Sequence, residues 1–168
     1  MDVLRYPIGP FELPSAITDA DVAGWIEDIA SLAERLRAAL KDRSAEWLER
    51  AYRPDGWTVR QVVHHIADSQ LNGYIRMRMA LTEDRPTIKL YAEGPWAELA
   101  DQAVDIDASV RLVEALNERW VHLMRNLSES ERARPLNNPE VGEQTVGQLI
   151  ALYAWHGNHH LAHIWLAD

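Results

Sequence analysis

The chain has 168 residues, 47% of them hydrophobic, which suits one folded domain over residues 1–168 and argues against disorder. Its formal net charge of −9 argues against nucleic acid and anionic membranes as partners, because both attract basic proteins. It contains no cysteine, which excludes disulfides, thiolate metal sites and a cysteine nucleophile, and the lack of a long apolar run predicts a cytoplasmic protein without a membrane span.

The first 18 residues predict an extended arm, because they contain three prolines and show no helical period. From about residue 19 to Leu40, apolar residues recur every three to four positions, which is the spacing of one face of a long helix. Three residues could cap its start: Thr18, Asp19 and Asp21. A short helix is predicted over 45–51, before Pro54-Asp55-Gly56 turns the chain.

Three further long helices follow, predicted to run from Thr58 to about Glu83, from about Asp107 to Leu127, and from Thr145 to the C-terminus. The second and fourth helices each begin with Thr-x-x-Gln before an apolar run, which is the capping-box pattern. On the third helix, five residues are predicted to form the inner face: Leu112, Leu116, Trp120, Leu123 and Leu127. Four long helices predict an all-α four-helix bundle, and residues 135–144 could form a small hairpin.

The link between the second and third helices is long, covering roughly 84–106. Neighbouring antiparallel helices need only a few connecting residues. A link of this length could instead cross the bundle and leave helices two and three parallel. The alternative is that it forms a mobile lid over an active site.

Six of the seven histidines fall in two short segments. His64 and His65 lie on the second helix, and the other four lie on the fourth: His156, His159, His160 and His163. Side chains at positions i and i+4 share a helix face, so His156 with His160, or His159 with His163, can present two imidazoles to one metal ion. The fourth helix is apolar nearly all round, and its histidines should therefore be buried, where a metal would give them a partner.

An antiparallel pairing of helices two and four, with their ends aligned, places His65 level with His160 and one turn from His156. A parallel pairing separates them. We therefore predict a metal site of His65, His156 and His160, with a hydrogen-bonded histidine cluster or a pH-sensitive core as the alternative. The remaining polar candidates are interpreted as surface or salt-bridging residues: His122, Asp68, Arg76 and Arg78.

Three segments resemble the YfiT branch of the DinB-like metalloenzymes: Tyr6-Pro7-Ile8-Gly9, the Gly-Trp-Thr-Val-Arg-Gln-Val-Val-His-His stretch from residue 56, and the histidine-rich residues 153–164. The resemblance covers nearly the whole chain. It implies a DinB-like four-helix bundle with a long crossover between helices two and three, and a homodimer. It also implies one divalent metal per chain, zinc or nickel, bound by His65, His156 and His160. Many broader relatives have Gln at position 163, so His163 is not counted as a ligand.

Three histidine ligands leave zinc at least one open position, as in catalytic sites. Such an ion could activate water for hydrolysis or hold a thiol as the thiolate. Because the chain has no cysteine and its resemblance includes thiol-transferring relatives, we favour transfer of a small thiol, such as bacillithiol, to an electrophile. A metal-dependent hydrolase and a non-catalytic metal-binding stress protein are the alternatives.

The sequence identifies no general base for this chemistry. Four residues are candidates for a catalytic role or for contacts to the ligands and substrate: His159, His163, Tyr153 and Asn158. Small molecules, a thiol and an electrophilic substrate, are the partners expected.

Overall fold

The computed structural model describes residues 3–168, so the first two residues of the predicted arm lie outside the described range. The elements follow in this order: α1 (Asp19–Ala30), α2 (Leu32–Leu40), α3 (Ala45–Leu48), α4 (Val59–Thr82), α5 (Glu93–Trp96), a 3-10 helix (Ala100–Ala103), α6 (Ile106–Arg125), α7 (Glu129–Arg132), β1 (Pro135–Asn138), β2 (Gly142–Thr145) and α8 (Val146–Leu166). Helices α4, α6 and α8 and the α1–α2 pair pack together as the predicted four-helix bundle.

Helices α4 and α6 run in the same direction, as the length of the link between them predicted. Near the start of both helices, the Nδ1 atom of His64 lies 2.7 Å from the hydroxyl of Ser109. Further along both helices, the indole N–H of Trp120 donates to the sulfur of Met77 at 2.9 Å. Contacts that advance together along two helices require parallel axes, so the link must return from the end of α4 to its start.

The link over 83–105 makes this return along the side of α4. It first forms a bridge with β1. The Arg76 guanidinium then donates to the Lys89 carbonyl at 2.8 Å, and Gln61, near the start of α4, donates to the Ala97 carbonyl at 3.0 Å. The predicted crossover is therefore confirmed, and it is packed against α4 along its length.

Helix α8 runs antiparallel to α4, in the register on which the histidine prediction depends. The ring centroids of His65 and His160 are 4.7 Å apart. Further along α4, the Arg76 guanidinium donates to the hydroxyl of Tyr153, which lies earlier on α8, at 2.9 Å. Residues later on α4 therefore contact residues earlier on α8, which requires the two helices to run antiparallel.

The predicted helix N-termini are capped by the side chains expected there. The Thr58 hydroxyl accepts from the Gln61 N–H at 3.2 Å, and the Gln61 side chain accepts from the Thr58 N–H at 3.0 Å. Thr145 and Gln148 form the same reciprocal pair at α8. Of the three candidates at α1, Thr18 is the cap. These boxes satisfy backbone N–H groups that a helix start leaves free.

The first predicted helix is in fact two helices, because the chain bends at Ser31. The Ser31 hydroxyl donates back to the Glu27 carbonyl at 2.9 Å, and the same carbonyl also accepts from the Ser31 N–H at 3.0 Å. Such back-bonding by serine often bends a helix. The Arg35 guanidinium donates to the Asp28 carbonyl at 2.6 Å, beside the bend. The prediction of one helix over 19–40 is therefore wrong. The sequence did not reveal the break, because its apolar residues keep helical spacing across Ser31.

Smaller predictions differ at two places and hold at a third. Helix α3 ends at Leu48, earlier than the predicted bound of 51. On α6, Leu112 is 42% exposed and does not belong to the inner face, whereas its neighbour Val113 is buried. The hairpin predicted over 135–144 does form, with β1 and β2 paired antiparallel.

The described part of the arm, residues 3–18, lies along α8 and has no helix or strand of its own. The Arg5 carbonyl oxygen lies 3.2 Å from the Nε2 atom of His163. At the other end of α8, the Gln148 side chain donates to the Pro14 carbonyl at 2.9 Å. The arm therefore covers one side of α8.

The core consists of two apolar clusters along the bundle. One contains Trp120 and Leu149, and the other contains Ile66 and Leu161. On α8 the first cluster ends at Ala154 and the second begins at Leu161. The polar residues of α8 between these two points carry the candidate site. In the part of the chain that the structure describes, no helix has the length and apolar character needed to cross a membrane.

Candidate metal centre

Three histidines converge where α4 meets α8. His65, His156 and His160 each offer one ring nitrogen, and the three nitrogens lie within 4.8 Å of one another. The Nε2 atoms of His65 and His156 are 3.1 Å apart. His156 and His160 lie one helical turn apart, so both side chains leave the same face of α8. We call these three residues the triad.

The triad has the donor chemistry and spacing of a divalent-cation site. Imidazole nitrogen is a common ligand of zinc and nickel. Two nitrogens bound tetrahedrally at about 2.0–2.1 Å from one zinc ion lie about 3.3 Å apart. The separation of 3.1 Å between the Nε2 atoms of His65 and His156 is close to that spacing. The residues present therefore fit a divalent metal.

Burial keeps the triad imidazoles neutral at neutral pH. Burial lowers the pKa of His65 from 6.5 to about 4, with nearby histidines as the second cause. Burial also holds the pKa values of His156 and His160 well below 6.5, and the neighbouring imidazoles add to the effect. Neutral rings retain the lone pair that a metal ligand requires.

The two adjacent histidines of α4 point to different neighbours. The Nδ1 atom of His64 contacts Ser109 on α6, whereas His65 lies against His156 and His160 of α8. Consecutive residues on a helix are about 100° apart, so only one of the pair can face α8. The structure brings His65 into the triad and leaves His64 outside it.

The other predicted site residues take different positions. The Nδ1 atom of His163 lies 3.3 Å from Nδ1 of His160, and the His159 ring stacks on Trp155 with centroids 4.5 Å apart. Asn158 does not reach the triad: its side chain accepts from Arg35 at 2.6 Å and donates to Asp28 at 3.0 Å. It joins α8 to the α1–α2 pair, because it lies on the opposite side of α8 from His156 and His160.

A cavity of about 530 Å³ opens beside His156. Tyr153 is on its wall, and its hydroxyl accepts from the Arg76 guanidinium at 2.9 Å. The polar side chains of the lining come from α4, from the crossover, from the hairpin and from α8: Ser69 and Arg76 of α4, Tyr91 and Glu93 of the crossover, Asn138 and Glu140 of the hairpin, and Tyr153 and His156 of α8. A small polar molecule in this cavity would contact His156 directly.

Two carboxyl groups are associated with this cavity: Glu93, an exposed residue on its lining, and the half-buried Asp68, whose charge acts on Tyr91 of the lining. Burial, and secondly the charge of Asp101, raises the pKa of Asp68 to about 6. Glu93 lines the cavity, and its pKa is raised by burial and then by Glu140. Burial and the charges around it also raise the pKa of the Tyr91 hydroxyl. A carboxyl group that titrates close to neutral pH is suited to exchanging protons with a substrate.

Sequence reasoning missed most of these cavity residues. Arg76 was interpreted as solvated or salt-bridged, yet it belongs to a polar stripe of α4 that begins at His65 and continues through Ser69. That stripe is the signal that could have identified it, since residues three or four apart share a helix face. Tyr91 and Glu93 lie in the crossover. The sequence there has no helical or strand periodicity that would predict which way their side chains point.

The chain is similar to several known proteins over nearly all of its length. A protein of Halalkalibacterium halodurans named "putative metal-dependent hydrolase" is 48% identical over 160 residues, which cover 95% of this chain and 94% of that protein. A protein of Bacillus cereus with the same name is 48% identical over 164 residues, which cover 98% and 95%.

Two solved structures share the fold. YfiT from Bacillus subtilis, described as a probable metal-dependent hydrolase with an unusual four-helix bundle topology, matches with a TM-score of 0.95 at 37% identity, over 98% of this chain and 95% of YfiT. The four-helix bundle protein TT2238 matches with a TM-score of 0.58 at 18% identity, which supports the fold alone. The model of the DinB superfamily matches residues 28–164. The chain therefore belongs to the DinB superfamily.

Proposed function

We propose that this protein is a metal-dependent enzyme that binds one divalent cation, in the first place zinc, through His65, His156 and His160. The observation that carries the proposal is the convergence of three neutral imidazoles, one of which, His156, lines a polar cavity. A bound zinc ion supplies Lewis-acid chemistry that lowers the pKa of a coordinated water or thiol. A purely structural metal site would be closed by a fourth protein ligand, and the triad offers three.

The chain's own residues define the rest of the site. The Arg76 guanidinium, held by Tyr153 and the Lys89 carbonyl, places a positive charge at the cavity wall. Such a group would orient the anionic or carbonyl part of a small substrate. Glu93, on the same wall, would exchange a proton with the substrate or the nucleophile.

Hydrolysis is the reaction that this geometry supports best. It requires a group that removes a proton from the attacking water. Glu93, on the wall of the cavity that His156 lines, and Asp68, which neighbours Tyr91 of the same wall, are carboxyl groups with raised pKa values. The sequence alone had offered no such base. The names of the relatives from Halalkalibacterium halodurans and Bacillus cereus agree with this reaction.

Transfer of a small thiol to an electrophile is the second candidate. The observation in its favour is that the chain has no cysteine, so a sulfur nucleophile would have to come from a cosubstrate bound at the triad. The family resemblance of the sequence also favours it. This reaction needs no strong protein base, because a metal ion alone makes a thiol acidic enough to ionise near neutral pH.

Two assays on zinc-loaded protein separate these reactions. The first measures cleavage of a panel of ester and amide substrates, with and without chelator. The second measures consumption of bacillithiol, glutathione, mycothiol or cysteine in the presence of one chloro-aromatic electrophile. Chelator-sensitive cleavage supports the hydrolase, and chelator-sensitive loss of thiol supports the transferase. Bound zinc with no activity in either assay would favour a non-catalytic metal-binding protein.

A further inference from the structure

His163 lies between the triad and the N-terminal arm. Its Nδ1 atom is 3.3 Å from Nδ1 of His160, and its Nε2 atom is 3.2 Å from the Arg5 carbonyl oxygen. The side chain is only 2% exposed, and Tyr52 stacks on its ring with centroids 3.9 Å apart. Both nitrogens of His163 therefore have a defined partner, and the ring is held in one orientation.

The chemistry of the partners determines where the protons are. The Arg5 carbonyl oxygen can only accept, so the Nε2 atom of His163 must carry a hydrogen. A neutral imidazole has one N–H group, which leaves Nδ1 of His163 as a bare acceptor. The Nδ1 atom of His160 must then be the donor in the contact between the two rings. With its hydrogen on Nδ1, His160 keeps a bare Nε2, and this nitrogen is then the one available to bind a metal.

We propose that His163 is a positioning residue, which transmits a hydrogen bond from the Arg5 carbonyl to His160 and holds that ligand in its metal-binding tautomer. This inference rests on the proposed function, because it assumes that His160 binds a metal. On this proposal the N-terminal arm contributes to the metal centre. Its Arg5 carbonyl accepts the hydrogen of His163 Nε2, and this determines which nitrogen of His160 carries a hydrogen. His160 differs in this respect from His156, whose buried Nδ1 atom has no hydrogen-bond partner.

The tautomers can be measured without metal and without any substitution. Long-range 1H–15N correlation spectra of the wild-type protein in chelator distinguish imidazoles protonated at Nδ1 from those protonated at Nε2. We expect His160 to carry its hydrogen on Nδ1 and His163 to carry its hydrogen on Nε2. The opposite assignment for either ring, or a doubly protonated His163 at neutral pH, would overturn the proposal.

Two substitutions at one position test the effect on zinc binding. His163→Leu removes both hydrogen bonds and keeps an apolar side chain in the core, whereas His163→Gln keeps a carbonyl that can accept from His160 and an amide that can donate to Arg5. We expect His163→Leu to weaken zinc binding about tenfold to hundredfold, the usual cost of losing a residue that orients a ligand. His163→Gln should restore most of this loss. Competition with a chromophoric chelator measures both dissociation constants.

His64→Leu is the matched control, because His64 is also a buried histidine and contacts Ser109 on α6 rather than a triad nitrogen. It should bind zinc as the wild-type protein does. Unchanged zinc affinity in a folded His163→Leu variant would overturn the proposal, and so would equal losses in the Leu and Gln variants. Failure of the wild-type protein to bind zinc would refute the proposed function instead, and the metal-free spectra would still test the tautomers.

Discussion

The triad occupies positions at which apolar side chains would otherwise complete the core between two clusters. Each imidazole is close to the other two, so a proton on one ring disfavours a proton on the next. The Nδ1 atom of His156 is buried and has no hydrogen-bond partner, and unsatisfied buried groups cost stability. Three buried imidazoles therefore stabilise the core less than apolar side chains would. A bound cation would compensate for this cost by giving the ring nitrogens a partner.

Alanine at any triad position should abolish most of the zinc affinity. His65→Ala, His156→Ala and His160→Ala each remove one of three ligands, so the loss should exceed the roughly tenfold to hundredfold effect of a residue that only orients a ligand. Chelator competition measures it. His64→Ala is the matched control, since His64 contacts Ser109 and not the triad. Equal losses for His64→Ala and His65→Ala would contradict the assignment.

Asp68 should control the acidic side of the pH profile of a hydrolytic reaction. A base acts when deprotonated, and the pKa of Asp68 is about 6, so kcat/KM should rise as the pH rises through that value. Asp68→Asn should lower kcat/KM and remove the inflection. Asp101→Asn should move the inflection to lower pH, because the charge of Asp101 helps to raise the pKa of Asp68. The measurement is kcat/KM between about pH 5 and about pH 8. An unchanged inflection in Asp68→Asn would exclude this role.

At the scale of whole elements, side chains of α6 and α8 pack directly against the backbone of α4 at Gly73. A Cβ atom there would lie 2.5 Å from the Trp120 ring and 2.6 Å from the Tyr153 ring. Glycine is therefore needed for these three helices to pack, and Tyr153 is also the residue that holds Arg76 at the cavity. Gly73 therefore affects both the spacing of the three helices and, through Tyr153, the position of Arg76 in the candidate site.

Gly73→Ala should destabilise the protein by about 1–3 kcal/mol, as overpacking of a core does. Gly24→Ala is the control: Gly24 lies within α1 with nothing within 4 Å of its added Cβ. There alanine should stabilise the helix by about 0.5–1 kcal/mol, because it has the higher helix propensity. Urea unfolding of both variants measures the two changes. A neutral Gly73→Ala substitution would show that the helices can move apart at no cost.

The sequence predicted these elements where local chemistry determines them. Thr58 and Thr145 each form the capping box expected, since a box needs only two residues three positions apart. The bend at Ser31 was not predictable in this way, because serine also occurs within continuous helices, and the local sequence does not show that its hydroxyl will donate back to the Glu27 carbonyl. The convergence of the histidines followed from periodicity and register. The cavity did not, because Tyr91 and Glu93 reach it through the path of the crossover, which no local pattern encodes.

For the molecule as a whole, the buried histidines link stability to pH. The pKa of His65, and likewise that of His159, is lowered from 6.5 to about 4. Between these values the unfolded chain binds protons that the folded protein excludes, so the free energy of unfolding of metal-free protein should fall as the pH drops from 6.5 toward 4. Each group contributes a slope of up to about 1.4 kcal/mol per pH unit.

Urea unfolding in chelator, between about pH 5 and about pH 8, measures this dependence. His65→Leu should show a shallower slope below pH 6.5, the unperturbed histidine pKa, because one titrating group has been removed. Identical slopes in the two proteins would contradict the prediction. Zinc at about 100 times its dissociation constant should add about 2.7 kcal/mol to the stability of the wild-type protein at neutral pH.

We also predict that the protein is a homodimer, a prediction that rests on the family resemblance of its sequence. Several large apolar side chains are exposed and would be available to an interface: Ile75, Leu112, Trp165 and Leu166. Light scattering should give twice the chain mass of 19.2 kDa. A monomer mass at micromolar concentration would count against the prediction.

The antiparallel contact between α4 and α8 has a consequence for how the protein is made. His65 and His156 are separated by 91 residues, and such a distant contact forms only after the entropy of closing a long loop has been overcome. During synthesis, α4 leaves the ribosome well before α8, so a nascent chain carries one triad histidine and lacks the other two. Zinc retention therefore requires the last helix to dock. In a refolding experiment, uptake of the ion should coincide with the final folding phase, and a chain arrested before α8 should not retain zinc.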